Sequence, residues 1–212
     1  VNQSCCVIIL LQVLKNLFTK AVEWGKFFGE SPARKVKLLR VDNKRLRYLT
    51  TDEIHRLLSA ADPRIKPMLT AALHTGMRRG ELASLDWKNV DISTGIVYVL
   101  HTKSGKPREL PMDSTLRELL RTLPKNDERV FDCSNLRKLY EQAVRQAGLE
   151  DVNFHTLRHT FASHLAMAGV DIKTIQELLG HQTFEMTLRY AHLSPHHKKV
   201  AIELLDRRWT KT

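Results

Sequence analysis

Cysteine is scarce in this chain of 212 residues, and the three that occur, Cys5, Cys6 and Cys133, have no metal-ligand spacing. One of the three would remain unpaired, so neither a disulfide framework nor a zinc site is predicted, and a reducing cytoplasmic compartment is expected. Long apolar runs are lacking too. The run "VIILLQVL" from Val7 to Leu14 is too short to span a bilayer and has no basic segment before it, so it is interpreted as part of a buried helix.

Acidic residues are also few relative to basic ones. The chain has 34 Lys and Arg against 23 Asp and Glu, a formal net charge of +11. A surplus of this kind favours a polyanionic partner, bound through phosphate contacts and counterion release, and nucleic acid is the leading candidate. A basic but otherwise ordinary enzyme is the alternative on charge alone. An apolar content of 42% is enough for a buried core, and the length suits one sizeable domain with a smaller piece.

The chain divides near residue 45. Apolar residues recur at helical spacing from Asn16 to Phe28, and the Gly-Glu-Ser-Pro segment that follows is a stop signal. Between Arg34 and Arg47 lie seven basic residues and one acidic residue, which is typical of a linker. Its basic side chains, among them Arg34, Lys35 and Lys37, are candidate contacts to DNA phosphates.

The second part, residues 46–212, predicts a mostly helical α+β fold. Thr50 and Glu53 form a capping box at the start of the first helix, and Gly76 ends the next. Alternating β-formers from Asn89 to Met112 predict a small antiparallel meander with two turns. Further helices are expected at about 113–122, 135–147, 156–168, 172–179, 184–191 and 196–208.

Four motifs in the second part occur in a suggestive order. They are "TGMRRGEL" at 75–82, "HTKSGKPRELPM" at 101–112, "HTLRHTFASH" at 155–164 and "LGHQTFEMTLRYAHL" at 179–193. In this order they closely resemble the catalytic domain of the tyrosine recombinases, also called the phage integrase family, over about residues 46–208. Residues 16–37 resemble the last helix and linker of the family's smaller core-binding domain. Residues 1–14 do not clearly supply its other helices, so half of the DNA clamp is expected to be missing.

The resemblance implies a set of catalytic residues. Tyr190 would be the nucleophile, while Arg78 and Arg158 would hold the non-bridging oxygens of a phosphate, because guanidinium offers paired donors and stays charged. Glu81, three residues after Arg78, would support it. The neighbouring Arg79 rivals Arg78 within the motif and is assigned to DNA binding instead.

Proton transfer would fall to three further residues. His155 would accept the proton of the Tyr190 hydroxyl, His181 would hydrogen-bond the scissile phosphate, and Lys103 at the hairpin would protonate the leaving 5′ oxygen. His159 and His164 are interpreted as packing or support. A zinc ion shared by His155 and His159, four residues apart, is the competing interpretation, but no Glu follows the first His and Arg158 would repel the metal.

By resemblance, the chain is a site-specific recombinase or integrase that acts on double-stranded DNA through a 3′-phosphotyrosyl link, without metal or other cofactor. Four protomers would assemble on DNA, with the C-terminal segment from His196 docking on a neighbour. Two alternatives stay open. One is a type IB topoisomerase-like enzyme that only relaxes DNA, and the other is a DNA-binding remnant without activity.

Overall fold

The computed structural model describes residues 3–37, 46–100 and 107–194. The chain forms two compact units, Val1–Arg45 and Leu46–Thr212. This division falls at the boundary expected from the sequence, near residue 45. The identity of the first unit as a core-binding remnant stays a prediction.

The first unit contains one long helix, α1 (Gln3–Glu23). The rings of Phe18 and Phe27 meet edge to face at 5.1 Å, and Ala33 is buried in the segment that follows. The prediction that the apolar run lies in a buried helix is half wrong. The run is helical, but most of its described side chains remain exposed, with Leu10 at 63% and Val13 at 56%, and Leu11 is half-buried. Apolar composition predicted burial, whereas burial depends on a second apolar surface packed against the helix.

The second unit has eight further helices and three strands in its described part. The helices are α2 (Thr51–Ala60), α3 (Lys66–Thr75), α4 (Arg79–Ala83), α5 (Ser114–Thr122), α6 (Leu136–Gln146), α7 (Phe154–Met167), α8 (Ile172–Leu179) and α9 (Glu185–Leu188). Short 3₁₀ turns lie at Trp87–Asn89 and Ala191–Leu193. The mostly helical α+β fold is therefore confirmed.

The predicted meander is present as a three-stranded antiparallel sheet in the order β1 (Val90–Asp91), β2 (Ile96–Val99) and β3 (Arg108–Pro111). The register pairs Val90 with Val97 in one ladder and Val99 with Arg108 in the other. Asp91 stabilises the first turn, since its carboxylate accepts a hydrogen bond from the backbone N–H of Ser93 at 2.9 Å. The second turn, with Lys103 and Lys106, lies outside the described residues.

Two apolar clusters organise the second unit. The larger contains side chains of α2, α3, α5, α6, α7 and the sheet, including the fully buried Leu57, Met68 and Leu116. Helices α3 and α7 pack against each other across it. The smaller cluster joins α7 and α8 to the end of the described chain and contains Ala162, Ala166, Ile175, Leu179 and Tyr190. This second cluster fixes the segment that carries the motif tyrosine.

The predicted helix at 184–191 is two shorter pieces, α9 and the 3₁₀ turn at Ala191–Leu193, with Tyr190 at the junction. The helix expected at 196–208 falls outside the described residues, and so does the proposed docking segment. Among the residues that the structure does describe, none of the helices has the length and apolar character needed to cross a membrane.

Candidate active site

The first motif arginine is fixed by a sharp turn after α3. Gly76 caps this helix with φ +61°, and a Cβ there would lie 2.4 Å from the ring of Phe161, so that both conformation and space require glycine. Arg78 lies two residues after Gly76, immediately before α4. Its backbone N–H and its Nη1 both donate to the carboxylate of Glu81 at 2.8 Å. The expected contact between Arg78 and Glu81 is therefore present.

The second motif arginine comes from the first turns of α7. Asn153 caps this helix by accepting a hydrogen bond from the Thr156 N–H, while the Thr156 hydroxyl accepts one from the Asn153 N–H. The helix therefore begins at Phe154, two residues earlier than predicted. His155 is exposed in its first turn, and Arg158, one turn further, is only 2% exposed.

Arg158 is held by two helix ends. Its Nη1 donates to the carbonyl of Gly76 at 2.7 Å, and its Nη2 donates to the carbonyl of Leu179 at 2.6 Å. Carbonyls at helix C-termini have no partner within the helix, so the guanidinium satisfies groups that burial would otherwise penalise. Burial, with the nearby charge of Arg78, lowers the pKa of Arg158 to about 9. The side chain therefore remains a cation at neutral pH.

The two arginines line one cavity with a histidine. It has a volume of about 270 Å³ and is bounded by the turn after α3 and the start of α7; its lining residues are Met77, Arg78, Arg79, Asn153, Phe154, His155 and Arg158. Two guanidinium groups at one open cavity form a fixed donor set for an oxyanion such as a phosphate.

His181 follows the Gly180 cap of α8, and its Nδ1 lies 2.8 Å from the hydroxyl oxygen of Thr187. This contact fixes the ring, so that a phosphate would meet Nε2. Burial, followed by the charges of Arg158 and Arg78, lowers the pKa of His181 to about 3. His181 is therefore neutral at physiological pH and presents an uncharged ring nitrogen.

Tyr190 is buried, with 1% of its surface exposed. Its hydroxyl oxygen lies 2.7 Å from Nδ1 of His159. Burial raises the pKa of Tyr190, although the charges of Arg158 and Arg189 partly oppose this. The phenol is therefore protonated at neutral pH, and its ionisation needs a base.

The structure changes the partner of that hydroxyl. His155 was expected to accept its proton, but the residue in hydrogen-bond contact is His159, which the sequence suggested only as support. The His155 and His159 rings meet edge to face at 4.6 Å, so His155 stands one ring further from the phenol. Burial lowers the pKa of both rings, that of His159 to about 4. His159 is thus a neutral imidazole able to accept a proton.

Sequence reasoning missed three contacts of this site. Arg108 binds Glu81, Thr187 orients His181, and His159 binds Tyr190. Arg108 lies within the quoted "HTKSGKPRELPM" motif, in the predicted meander, and this position was the signal available. His164, by contrast, supports the fold as expected, with Nε2 2.8 Å from the carbonyl oxygen of Leu49.

The remaining candidate residues lie in the first unit or outside the described residues. Lys103 is outside the described residues. In the first unit, Arg34 donates to Glu30 at 2.9 Å, while Lys35 and Lys37 are exposed. No set of three or more His, Cys, Asp or Glu side chains suited to a metal ion occurs within the described ranges.

Comparison with known proteins gives one consistent result. Residues 47–197 match the model of the phage integrase family. The integrase of Salmonella phage P22 is 30% identical over 209 residues, covering 88% of this chain and 54% of that protein. The chain thus spans about half the length of the curated relatives it matches first.

Solved structures agree with the fold. The catalytic domain of bacteriophage HP1 integrase superposes with a TM-score of 0.67 at 36% identity, covering 75% of this chain and 95% of that one. The Tn1549 transposon integrase in complex with transposon right end DNA superposes with a TM-score of 0.70 over 94% of this chain and 78% of that one. Its 20% identity supports likeness of fold alone.

Proposed function

The chain belongs to the phage integrase family of tyrosine recombinases, and we propose that it cleaves and rejoins double-stranded DNA at specific sites through a covalent 3′-phosphotyrosyl link. The observation that carries the proposal is the shared cavity of Arg78, Arg158 and His155. Phosphoryl transfer to a side chain needs cations that hold the phosphate, a group that moves the proton and a nucleophile. The two arginines, the histidine and the buried phenol of Tyr190 meet these needs.

In the proposed reaction, the phenol oxygen of Tyr190 attacks the scissile phosphorus. The new Tyr190 O–P bond forms as the bond to the 5′ oxygen breaks, the phenol proton passes to a base, and the leaving oxygen receives a proton from an acid. The 5′ hydroxyl of a partner strand then attacks the phosphotyrosyl ester and reverses each step. In each step one O–P bond forms as another breaks, and each proton that is released is taken up, so the reaction needs no metal or nucleotide.

Arg78 and Arg158 would neutralise the charge that grows on the non-bridging oxygens in the transition state. Each uses only part of its donor set within the protein. Arg158 donates one N–H of each Nη to a backbone carbonyl, and Arg78 donates from Nη1 to Glu81. The guanidinium forks are thereby fixed in place while further N–H donors remain for the phosphate.

The base in this scheme is the histidine pair. His159 would take the phenol proton directly, and His155, whose ring is adjacent and which lines the cavity, would connect that position to the phosphate. This arrangement revises the sequence-based assignment, in which His155 acted alone. Lys103 stays the proposed general acid, from the family pattern.

The proposed partner is double-stranded DNA, and assembly of four protomers on it is proposed from the family alone. The net charge of +11 supports a polyanionic partner. The exposed cations Lys35 and Lys37 of the first unit, together with Arg79 at the cavity, are proposed to contact phosphates.

Covalent trapping tests the function without knowledge of the target site. The purified chain is incubated with a library of nicked duplexes of random sequence, in which the short fragment that carries the freed 5′ hydroxyl dissociates after cleavage, so that the strand cannot be resealed. DNA that stays attached to protein in denaturant is then sequenced. We expect an adduct at an enriched sequence, and we expect Tyr190→Phe to abolish it while the affinity for duplex changes little.

Tyr140→Phe is the matched control. Its ring is also buried, and its hydroxyl has no hydrogen-bond partner among the described residues, so the same change costs little there. An adduct that persists in Tyr190→Phe would contradict the assignment. Duplex binding without any adduct would favour the DNA-binding remnant, and relaxation of plasmid without joined products from two duplexes would favour a topoisomerase.

A further inference from the structure

Arg108, the first residue of β3, is an arginine that the mechanism above does not use. Its side chain is 8% exposed. It makes three hydrogen bonds: Nη1 and Nη2 donate to the two carboxylate oxygens of Glu81 at 3.1 and 2.8 Å, and Nε donates to the carbonyl of Leu178 at 2.9 Å. The guanidinium is thus bound on two sides, by residues 27 and 70 positions away in the chain.

Glu81 is shared between two arginines. Each of its oxygens accepts from Arg108, and each also accepts from Arg78, one from Nη1 and the other from the backbone N–H. Burial alone would raise the pKa of Glu81, but the hydrogen bonds and charge of Arg108, with those of Arg78, outweigh it and lower the pKa. The ionised carboxylate therefore connects the two guanidinium groups rigidly.

The other contact of Arg108 is at the C-terminus of α8. Arg108 binds the carbonyl of Leu178, and Arg158 binds the carbonyl of the next residue, Leu179. The Arg108 side chain also crosses Gly180, where a Cβ would lie 3.1 Å from its Cδ. Both phosphate-binding arginines are therefore connected to the C-terminus of α8. Arg158 is connected by a direct hydrogen bond, and Arg78 is connected through Glu81 and Arg108.

We propose that Arg108 is a positioning residue, which sets the place of Arg78 relative to Arg158 by joining Glu81 to the end of α8. This inference rests on the proposed function, in which these two arginines hold one phosphate. Arg108 has a second consequence for charge. The formal charges of Arg78 and Glu81 alone sum to zero, whereas those of Arg78, Glu81 and Arg108 sum to +1. Arg108 therefore neutralises the carboxylate, and the positive potential of Arg78 in the cavity is kept.

The first test uses no DNA. Carbon-13 NMR of the carboxyl groups follows the titration of Glu81, identified by its absence in Glu81→Gln. In Arg108→Gln, burial is no longer opposed by the second arginine, so the Glu81 pKa should rise above its wild-type value. An unchanged titration would overturn the proposal. This result stands even if the wild-type chain never forms an adduct with DNA, which would instead count against the proposed function.

The second test measures the single-turnover rate of adduct formation on the nicked duplex selected above. Arg108→Gln should lower the rate on the order of 100-fold, as expected for a displaced phosphate ligand, while the affinity for duplex stays within about threefold. Arg108→Lys keeps the charge but cannot reproduce the fork, so its rate should stay low. Full recovery in Arg108→Lys would overturn positioning in favour of charge alone.

Arg117→Gln is the matched control for these variants. Like Arg108, Arg117 donates to a backbone carbonyl through Nε, but its acceptors are the carbonyls of Ile92 and Ser93, and it supports the turn between β1 and β2. It should lose thermal stability without losing the cleavage rate of the remaining folded protein. If it slows cleavage as much as Arg108→Gln does, Arg108 supports the fold and not the arginine pair.

A double variant identifies the route. If Arg108 acts through Glu81, replacing Arg108 by Gln in a Glu81→Gln background should cost less than about threefold further, because coupled residues are not additive. Additive losses would overturn the route through Glu81.

Gly180→Ala gives an answer if Arg108→Gln does not fold. It removes no atom of Arg108 but would bring a Cβ to 3.1 Å from its Cδ and Nη1, so the guanidinium must shift, and we expect slower cleavage. Gly148→Ala is its control, since Gly148 has φ +62° against +63° and the nearest atom would lie 3.7 Å away, an ordinary contact. Equal rates in the two glycine variants would contradict the proposal.

Discussion

At the scale of single residues, the sequence predicted the candidate side chains of the site and the local contact of Arg78 with Glu81, but not the contacts between distant segments. "HTLRHTFASH" contains both the exposed His155 and the half-buried His159, and nothing in the motif alone tells which ring meets the phenol. That depends on Tyr190, 31 residues further on, packing into the cluster of α7 and α8. Local spacing predicts faces of helices, whereas partners from distant segments depend on the fold.

Which of Lys103 and Lys106 is the general acid cannot be decided from their positions in the chain. Replacing the bridging 5′ oxygen of the substrate by sulfur gives a leaving group that needs no proton, because a thiol has a far lower pKa than an alcohol. Lys103→Ala should therefore be slow on the oxygen substrate and close to wild type on the sulfur one, by single-turnover kinetics. Arg158→Ala should be slow on both.

Lys106→Ala serves as the internal comparison in that experiment. Rescue by sulfur in Lys106→Ala and not in Lys103→Ala would show that the general acid lies three residues further along. Failure of sulfur to rescue either variant would remove the acid from this hairpin.

At the scale of elements, the signals that worked were those contained within one turn of chain. The Thr50 and Glu53 capping box fixes the start of α2, and the Gly76 stop fixes the end of α3, as predicted. The segment 184–191 shows the limit. Its helical spacing is real, but burial of Tyr190 and Thr187 sets the chain direction, and the helix is broken into α9 and a 3₁₀ turn.

The start of α2 should make stability depend on pH. Glu53 also binds Arg47 at 2.6 Å, and this hydrogen bond, with that of the Thr50 N–H, lowers the Glu53 pKa from 4.5 to about 2. Because the folded pKa is lowered, the stabilisation is present above the unfolded value and disappears as pH falls from about 4.5 toward about 2. The thermal unfolding temperature of Glu53→Gln should therefore be lower than that of wild type at pH 7, with the difference shrinking through that window.

Glu141→Gln is the comparison for Glu53→Gln. Its ion pair with Arg137 is exposed, with side chains 58% and 85% accessible, so its removal should barely move the melting temperature at any pH. A constant difference between wild type and Glu53→Gln from neutral pH down to the end of that window would contradict the linkage.

At the scale of the whole molecule, charge is the property that the sequence predicted without the fold. The +11 surplus does not depend on any contact, and the exposed Lys35 and Lys37 leave part of it available to a polyanion. Arg34 contributes less, because it pairs with Glu30. The two units, by contrast, were separated in the sequence by composition alone, and composition misjudged the exposure of α1.

Binding to duplex DNA should weaken steeply with salt, and neutralising Arg34, Lys35 and Lys37 to Gln should reduce the slope of log K against log salt by about 0.9 for each phosphate that is no longer bound. Fluorescence anisotropy at several salt concentrations measures this slope. A second variant with Lys88, Arg121 and Lys125 neutralised reaches the same net charge, +11 less 3, or +8. Equal slopes in the two variants would mean that bulk charge, and not the segment after α1, governs binding.

The two carbonyls held by Arg158 bear on how this chain would change if selection for recombination ceased. Without that guanidinium, the buried carbonyls of Gly76 and Leu179 would have no donor, at a cost of about 1–3 kcal/mol each, so selection for stable folding would retain the arginine. The Tyr190 ring would persist for the same reason, as part of a packed cluster. Its hydroxyl, bonded to one histidine, is the atom that an inactive descendant loses most cheaply. Phenylalanine at position 190, and not loss of the arginine, would therefore identify a relative that retains the fold but no longer catalyses the reaction.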